Sequence, residues 1–198
     1  GYKSYATMRN PARRGALDSA LATAGLAAEV LTLDVQDTTS IDACVAQVMQ
    51  QGGKIDTFVA NAGMGFARAT EQTSEAKIAD VMDVNFMGVV RGVKAVLPHM
   101  RKARSGRILA VSSVGGLVGQ PFNEVYCASK FAVEDYMESL ASYAGPAFGL
   151  HFTLVEPGGI SSEFAARALQ QIAQTGGFLQ DEYLPLLQKI PRHAAGPV

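Results

Sequence analysis

The chain has 198 residues, 48% of them hydrophobic and 18% charged, with a formal net charge of −1. That length and composition suit a single domain over residues 1–198 with a sizeable core. The near-neutral balance leaves no basic surplus for a nucleic-acid partner, and the longest apolar runs are of strand length, so no membrane span is expected.

In chain order, Lys3 to Met8 reads as a short strand and Pro11 to Ala24 as a helix closed by Gly25. Ala28 to Leu33 is a strand ending at Asp34. Asp37 or Thr38 caps a helix that runs to about Gln51 and stops at Gly52-Gly53. Thr57 to Ala60 is a buried strand opening into Asn61-Ala62-Gly63. Ser74 caps a helix continuing through Asn85 to about Leu97. Arg107 to Ser112 is a strand, and Glu124 to about Ala144 a long helix. Leu150 to Glu156 is a strand broken by Pro157-Gly158-Gly159. Glu163 to Ala173 and Glu182 to Ile190 read as short helices.

The strands are continuous apolar runs rather than alternating ones, as in a parallel sheet covered on both faces. Strands alternating with helices predict an α/β, doubly wound, Rossmann-like fold. Such sheets bind ligands beyond the carboxyl ends of their strands. Asp34, Asn61-Ala62-Gly63, Ser112-Ser113 and Pro157-Gly158 all fall at those ends.

One of these clusters can do chemistry. Tyr126 and Lys130 stand four apart on the long helix, so phenol and ammonium share a face. The ammonium is expected to lower the phenol's pKa from about 10, letting Tyr126 exchange a proton with a carbonyl or alcohol oxygen. Ser113 can hydrogen-bond the same oxygen. A chance Tyr-x-x-x-Lys is expected about 0.2 times in such a chain and, with serine at a set distance, about 0.01 times, so the trio rather than the pair carries the reading. Cys44 and Cys127 are too few for a disulfide framework or a zinc site, which makes a reducing cytoplasm the default. His99, His151 and His193 have no ligand-like spacing, and no metal is expected.

Taken together, Asp34-Val35, Asn61-Ala62-Gly63, Asn85, Ser113, Tyr126-x-x-x-Lys130 and Pro157-Gly158 resemble, in order and spacing, the short-chain dehydrogenase/reductase family. Ser112-Ser113-Val114-Gly115-Gly116-Leu117 and the stretch from Pro121 to Ala132 are similar to the family's branch of steroid 17-beta and photoreceptor retinol dehydrogenases. The resemblance implies an oxidoreductase that interconverts an alcohol and a ketone or aldehyde on a small lipophilic molecule, steroid- or retinoid-like. It also implies a homodimer or homotetramer. The many small residues from Tyr126 to Ala144 fit two such helices packing across a dimer axis, and fit ordinary intramolecular packing nearly as well. A non-catalytic cofactor-binding regulator and a same-fold epimerase or dehydratase are the other classes.

The family begins with a strand and a Gly-rich turn that meets the cofactor's pyrophosphate. Nothing of that kind precedes Lys3, so the chain is expected to start at the family's second strand and to stop before its last.

By the same resemblance, Ser113, Tyr126, Lys130 and Asn85 form the catalytic set, with Asn85 breaking its helix and holding a water that links to Lys130. Arg9 follows the strand that meets the adenosine ribose, where a guanidinium suits a 2′-phosphate; NADP(H) is therefore preferred, with NAD(H) possible and a solvated arginine the alternative. Asp34 would accept from the adenine amino group, with Val35 giving its backbone; a plain helix-capping Asp is the alternative. Asn61, Ala62 and Gly63 let the cofactor pass close to backbone. Tyr126 and Lys130 contact its ribose. Pro157, Gly158 and Ile160 lie along the nicotinamide, and Ser162, with Ser161 as rival, contacts phosphates or amide. Met64, Phe66, Val118, Phe122 and Phe164 are either a substrate wall or core.

Overall fold

The computed structural model describes residues 2–160, 164, 170 and 179–189. Its strands are β1 (Tyr5–Met8), β2 (Glu29–Thr32), β3 (Thr57–Ala60), β4 (Gly106–Val111) and β5 (Leu150–Val155). Its helices are α1 (Gly15–Ala24), α2 (Thr38–Gly52), α3 (Glu75–Met82), α4 (Gly88–Ala103), α5 (Glu124–Phe148) and α6 (Leu184–Lys189). All strand pairs are parallel. Parallel neighbours need crossover connections, and helices supply them here. This is an α/β, Rossmann-like arrangement.

Helix ends follow their local chemistry. Asp37, not Thr38, caps α2, accepting from Thr39 N at 2.8 Å, and Gly53 ends it in the left-handed region. Ser74 caps α3. The helix expected from Pro11 is a 3₁₀ turn over Pro11–Arg13 followed by α1. The single helix expected from Ser74 to Leu97 is α3, a π turn at Asp83–Met87, and α4. Helix α5 continues past Ala144 through Pro146 and stops at Gly149, whose φ of 69° suits glycine. The helix expected at Glu163 to Ala173 lies outside the described residues.

The core sits on one face of β3-β4-β5. Helix α4 buries Val89, Val93, Val96 and Met100, and α5 buries Val133, Met137 and Leu140, all against Ala60, Ile108, Ala110 and Leu150. The spacing is helical on α4 and α5. Each large aliphatic side chain so buried contributes about 1.5–3 kcal/mol.

Two features differ from a sheet covered on both faces. The strands form two separate sheets, β1-β2 and β3-β4-β5. Among the described residues no strand pairs with the free edges of β1 and β3. The second face of β3-β4-β5 is also open: His151 and Thr153 are exposed along β5 with Val155, and Val59 on β3 is 52% exposed. The sequence carries apolar residues on both faces of these strands, but the described helices cover only one.

Register aligns the functional edge. Ala60 pairs with Ala110, and Val111 with Val155, so Asn61, Ser112 and Glu156 leave the sheet at nearly one level. Met8 pairs with Thr32, bringing Arg9 and the Leu33-Asp34 exit to the corresponding edge of the smaller sheet.

Candidate active site

Lys130 is the buried centre of the cluster. Helix α5 turns it inward, leaving it 5% exposed. Its Nζ donates to the Val111 carbonyl oxygen at 2.8 Å, at the end of β4. Burial pushes its pKa down to about 8, while the Glu134 carboxylate one turn further along α5 works against that fall.

Tyr126 lies one turn before Lys130, half-buried, with the Lys130 Nζ 5.9 Å from its ring centroid. Its phenol behaves opposite to expectation. Burial pushes its pKa up, and a hydrogen bond with Ser113 pulls it down. The ammonium is engaged with Val111, so desolvation outweighs it at the phenol.

Ser113 is buried in extended backbone just past β4 and caps the 3₁₀ turn Val114–Gly116, accepting from Gly115 N at 3.1 Å. The next loop is fastened to it: Val114 N donates to the Pro157 carbonyl at 3.2 Å, and Ser112 N to the Val155 carbonyl at 2.8 Å.

Asn85 sits in the π turn and is 0% exposed. The expected local break is there, because a π turn widens the helix at a polar residue. The side-chain amide is engaged at both its oxygen and its nitrogen. Its Oδ1 accepts from Met64 N at 2.7 Å, and its Nδ2 donates to the Met64 carbonyl and to Ser129 Oγ, both at 3.0 Å. It reads the loop backbone as a neighbouring strand would.

That clamp draws Asn61-Ala62-Gly63 over the cluster. A Cβ on Gly63 would lie 3.4 Å from Asn85 Oδ1 and 3.5 Å from Lys130 Nζ. The four expected catalytic residues therefore meet at one edge. A nicotinamide cofactor fits the chemistry present there: a glycine allowing close approach, an ammonium and a phenol. Asn61, Ala62, Gly63, Gly158 and Ile160 are exposed on that edge, and Pro157 is half-buried. Ser162, and its rival Ser161, lie outside the described residues.

At the other end, Asp34 does not cap a helix. Its Oδ1 accepts from Gln36 N at 3.0 Å and its own N donates to Ser40 Oγ at 3.0 Å. Val35 is half-buried; its carbonyl accepts from Arg91 Nη1 at 3.1 Å, and a Cβ on Gly88 would meet Val35 Cβ at 2.9 Å. Arg9 is exposed. It is close enough to help, after Lys77 and Gln36, to hold the Asp80 carboxyl below its ordinary value. The guanidinium thus lies within electrostatic range of an acid on α3.

The aromatic residues divide. Phe164 packs on Tyr126 with centroids 6.0 Å apart, and Phe66 lies under the Lys77 ammonium. Val118 is exposed and Met64 half-buried. Phe122, at φ 62°, lines a cleft of about 450 Å³ with Pro121, Tyr183, Leu186, Glu71 and Glu124. Sequence reasoning missed Ser129, whose Oγ donates to the Tyr126 carbonyl at 2.6 Å and ties it to Asn85. It also missed Glu134, and placed Ser112 at the strand end without giving it a role. Glu134's place one turn after Lys130 was the available signal.

Comparison with known proteins is consistent across most of the chain. Residues 1–173 match the family described as short chain dehydrogenase. Retinol dehydrogenase 8 of Bos taurus is 41% identical over 199 residues, covering 96% of this chain and 63% of that protein. The 17-beta-hydroxysteroid dehydrogenase type 1 of Homo sapiens is 44% identical over 171 residues, covering 85% of this chain and 51% of that protein. The chain thus spans half to two thirds of the length of these relatives. A Burkholderia phymatum short chain dehydrogenase/reductase, solved in complex with NAD, has the same fold: TM-score 0.81 at 22% identity, over 100% of this chain and 72% of that one.

Proposed function

The chain belongs to the short-chain dehydrogenase family, and from that premise we propose an NADP-preferring oxidoreductase that interconverts an alcohol and a ketone or aldehyde on a small lipophilic substrate. The observation that carries this is the meeting of Ser113, Tyr126, Lys130 and Asn85 at one sheet edge, beneath Asn61-Ala62-Gly63. A non-catalytic binding protein has no need of all four.

In this reading Tyr126 gives its phenolic proton to the substrate oxygen in reduction, and takes it back in oxidation. The raised pKa keeps the phenol protonated and ready to donate at neutral pH. Ser113, already hydrogen-bonded with Tyr126, holds the substrate oxygen in line. Lys130 holds the nicotinamide ribose, and Asn85 keeps the Met64 loop in place above it. When bound, the nicotinamide supplies or accepts the hydride. Asn61, Ala62, Gly63, Pro157, Gly158, Ile160 and Ser162 would hold it at one end, and Arg9, Asp34 and Val35 at the other. The names of the two relatives support a retinoid- or steroid-like substrate. So does the apolar part of the cleft formed by Pro121, Phe122, Tyr183 and Leu186.

Exposed Phe131 and Tyr143 on the outer side of α5 support a homodimer or homotetramer through that helix. Both cysteines are buried and unbonded, which supports a reducing, cytoplasmic setting. Among the described residues no helix is long and apolar enough to cross a membrane.

The test is direct. The complete protein that carries this chain is mixed with NADPH and, in separate reactions, a steroid ketone and a retinoid aldehyde, and nicotinamide absorbance is followed. Oxidation of NADPH matched by alcohol formation is expected. Cofactor binding without turnover on either substrate would favour the regulatory reading. Substrate conversion without net cofactor oxidation would favour an epimerase or dehydratase.

A further inference from the structure

Ser112 and Glu134 lie on the core side of Lys130. Ser112 is 3% exposed and Glu134 8% exposed. Neither Ser112 Oγ nor Glu134 Oε1 has a hydrogen-bond partner among the described residues. They come from different elements, the end of β4 and the middle of α5, yet face one point. A Cβ on Gly116 would lie 2.7 Å from Ser112 Oγ and 3.0 Å from Glu134 Oε1. A side chain at 116 would be driven into both oxygens, so only glycine fits where the two come together. Buried hydroxyl and carboxylate oxygens left dry are strongly disfavoured, and ordered water is what ordinarily meets them.

Glu134 is also four residues after Lys130, on the same buried face of α5. Several groups face Lys130. From α5 come the Tyr126 phenol and the Glu134 carboxylate, with the Cys127 thiol beside Tyr126. From β4 comes the Val111 carbonyl, and from the π turn and the loop after β3 come Asn85 and Gly63. Glu134 is the carboxylate in this set.

We propose that Glu134 is a positioning residue of this site: joined to Ser112 through a water buried under Gly116, its carboxylate is the fixed counter-charge that keeps Lys130 an ammonium. The proposal rests on the reading of Lys130 as a catalytic group, and Glu134 itself touches neither substrate nor cofactor. Burial alone drives Lys130 toward the neutral amine, and a neutral amine would hold neither the ribose nor a phenolate. A carboxylate one turn away opposes that drift from inside the core, where solvent screening is weak. The water holds the carboxylate in place and satisfies both oxygens.

The test reads Lys130 itself. The full chain is made with lysine carrying ¹³C at Cε, the Lys130 signal is identified by its loss in Lys130→Arg, and its shift is followed against pH. The parent midpoint is expected near 8. In Glu134→Gln, which keeps shape and removes charge, it should fall by about one pH unit or more. In Ser112→Ala, which removes one anchor of the water, it should fall by a smaller amount. Thermal melts establish that each variant is folded. If Glu134→Gln does not fold, Glu134→Asp, with its charge drawn back by one methylene, is expected to lower the midpoint. An unchanged midpoint in the folded Glu134 variant overturns the proposal. The titration needs no turnover. A Glu134-dependent midpoint in a complete protein that reduces no carbonyl would sink the oxidoreductase reading, and with it the catalytic role given to Lys130, while the coupling of Glu134 to Lys130 stands. Normal turnover with an unchanged midpoint would do the reverse.

Discussion

The ammonium of Lys130 donates at 2.8 Å to the backbone carbonyl of Val111, the last residue of β4. A side chain of the crossover helix thus reaches the carboxyl edge of the strand before it. That bond fixes the height of Lys130 at the edge. Tyr126 stands one turn away on the same helix, and Ser113 leaves the same strand two residues later.

Tyr126→Phe removes the proton donor and little else. Turnover should fall about 10²–10⁴-fold, with NADPH affinity nearly unchanged. Stopped-flow turnover and calorimetric binding separate the two. Lys130→Ala should weaken both, since Lys130 is read as holding the nicotinamide ribose, which binds the cofactor and places it for hydride transfer. Near-normal turnover of Tyr126→Phe would take Tyr126 out of the mechanism.

The proposed NADP preference rests on the end of β1, where Arg9 is exposed beside a half-buried Met8. NADPH should be used with higher kcat/KM than NADH. Met8→Asp should shift the ratio toward NADH by about tenfold, through like-charge repulsion against a 2′-phosphate. Equal kcat/KM values for both cofactors in the parent would sink the NADP reading.

Lys130 also sets a pH dependence of folding. Its pKa is about 8 in the fold against an ordinary 10.5. Below about 8 both states hold the proton, and the full cost of burying the charge is present. Between about 8 and 10.5 the unfolded chain holds a proton that the native one has released, so this group makes stability rise with pH. The difference corresponds to about 3 kcal/mol. Urea unfolding across that range should show the rise in the parent and not in Lys130→Met. Parallel curves for the two proteins would disprove it.

Asn85→Ala should cost about 2–4 kcal/mol, because it leaves Met64's N–H and carbonyl and Ser129's hydroxyl without their partner. Hydrogen exchange should quicken selectively at Met64. Unchanged exchange there would mean that the loop is held by something else.

Val59 is exposed on β3, whose outer edge no described strand pairs. Such an edge is a template for another chain. Sedimentation should show concentration-dependent association that Val59→Lys reduces. An association indifferent to Val59→Lys would place the contact elsewhere.

Sequence alone determined the elements and their order, because apolar runs, caps and glycines act locally. Asp37 and Ser74 could be read as caps, and Gly25 and Gly53 as stops, from neighbours a few residues away. The spacing of Tyr126 and Lys130 on one helix face, and the poor fit of Asn85 inside a helix, were legible for the same reason. What only the tertiary structure decided concerns groups far apart in the chain. The amide of Asn85 is committed to Met64 and Ser129, and Lys130 is desolvated against Val111. Ser112 and Glu134 both reach Gly116 from distant elements, and Arg9 lies within electrostatic range of Asp80. The pKa of Tyr126 rises rather than falls because burial outweighs its neighbours. Burial is a sum over everything packed around a group, and no spacing within the chain encodes it.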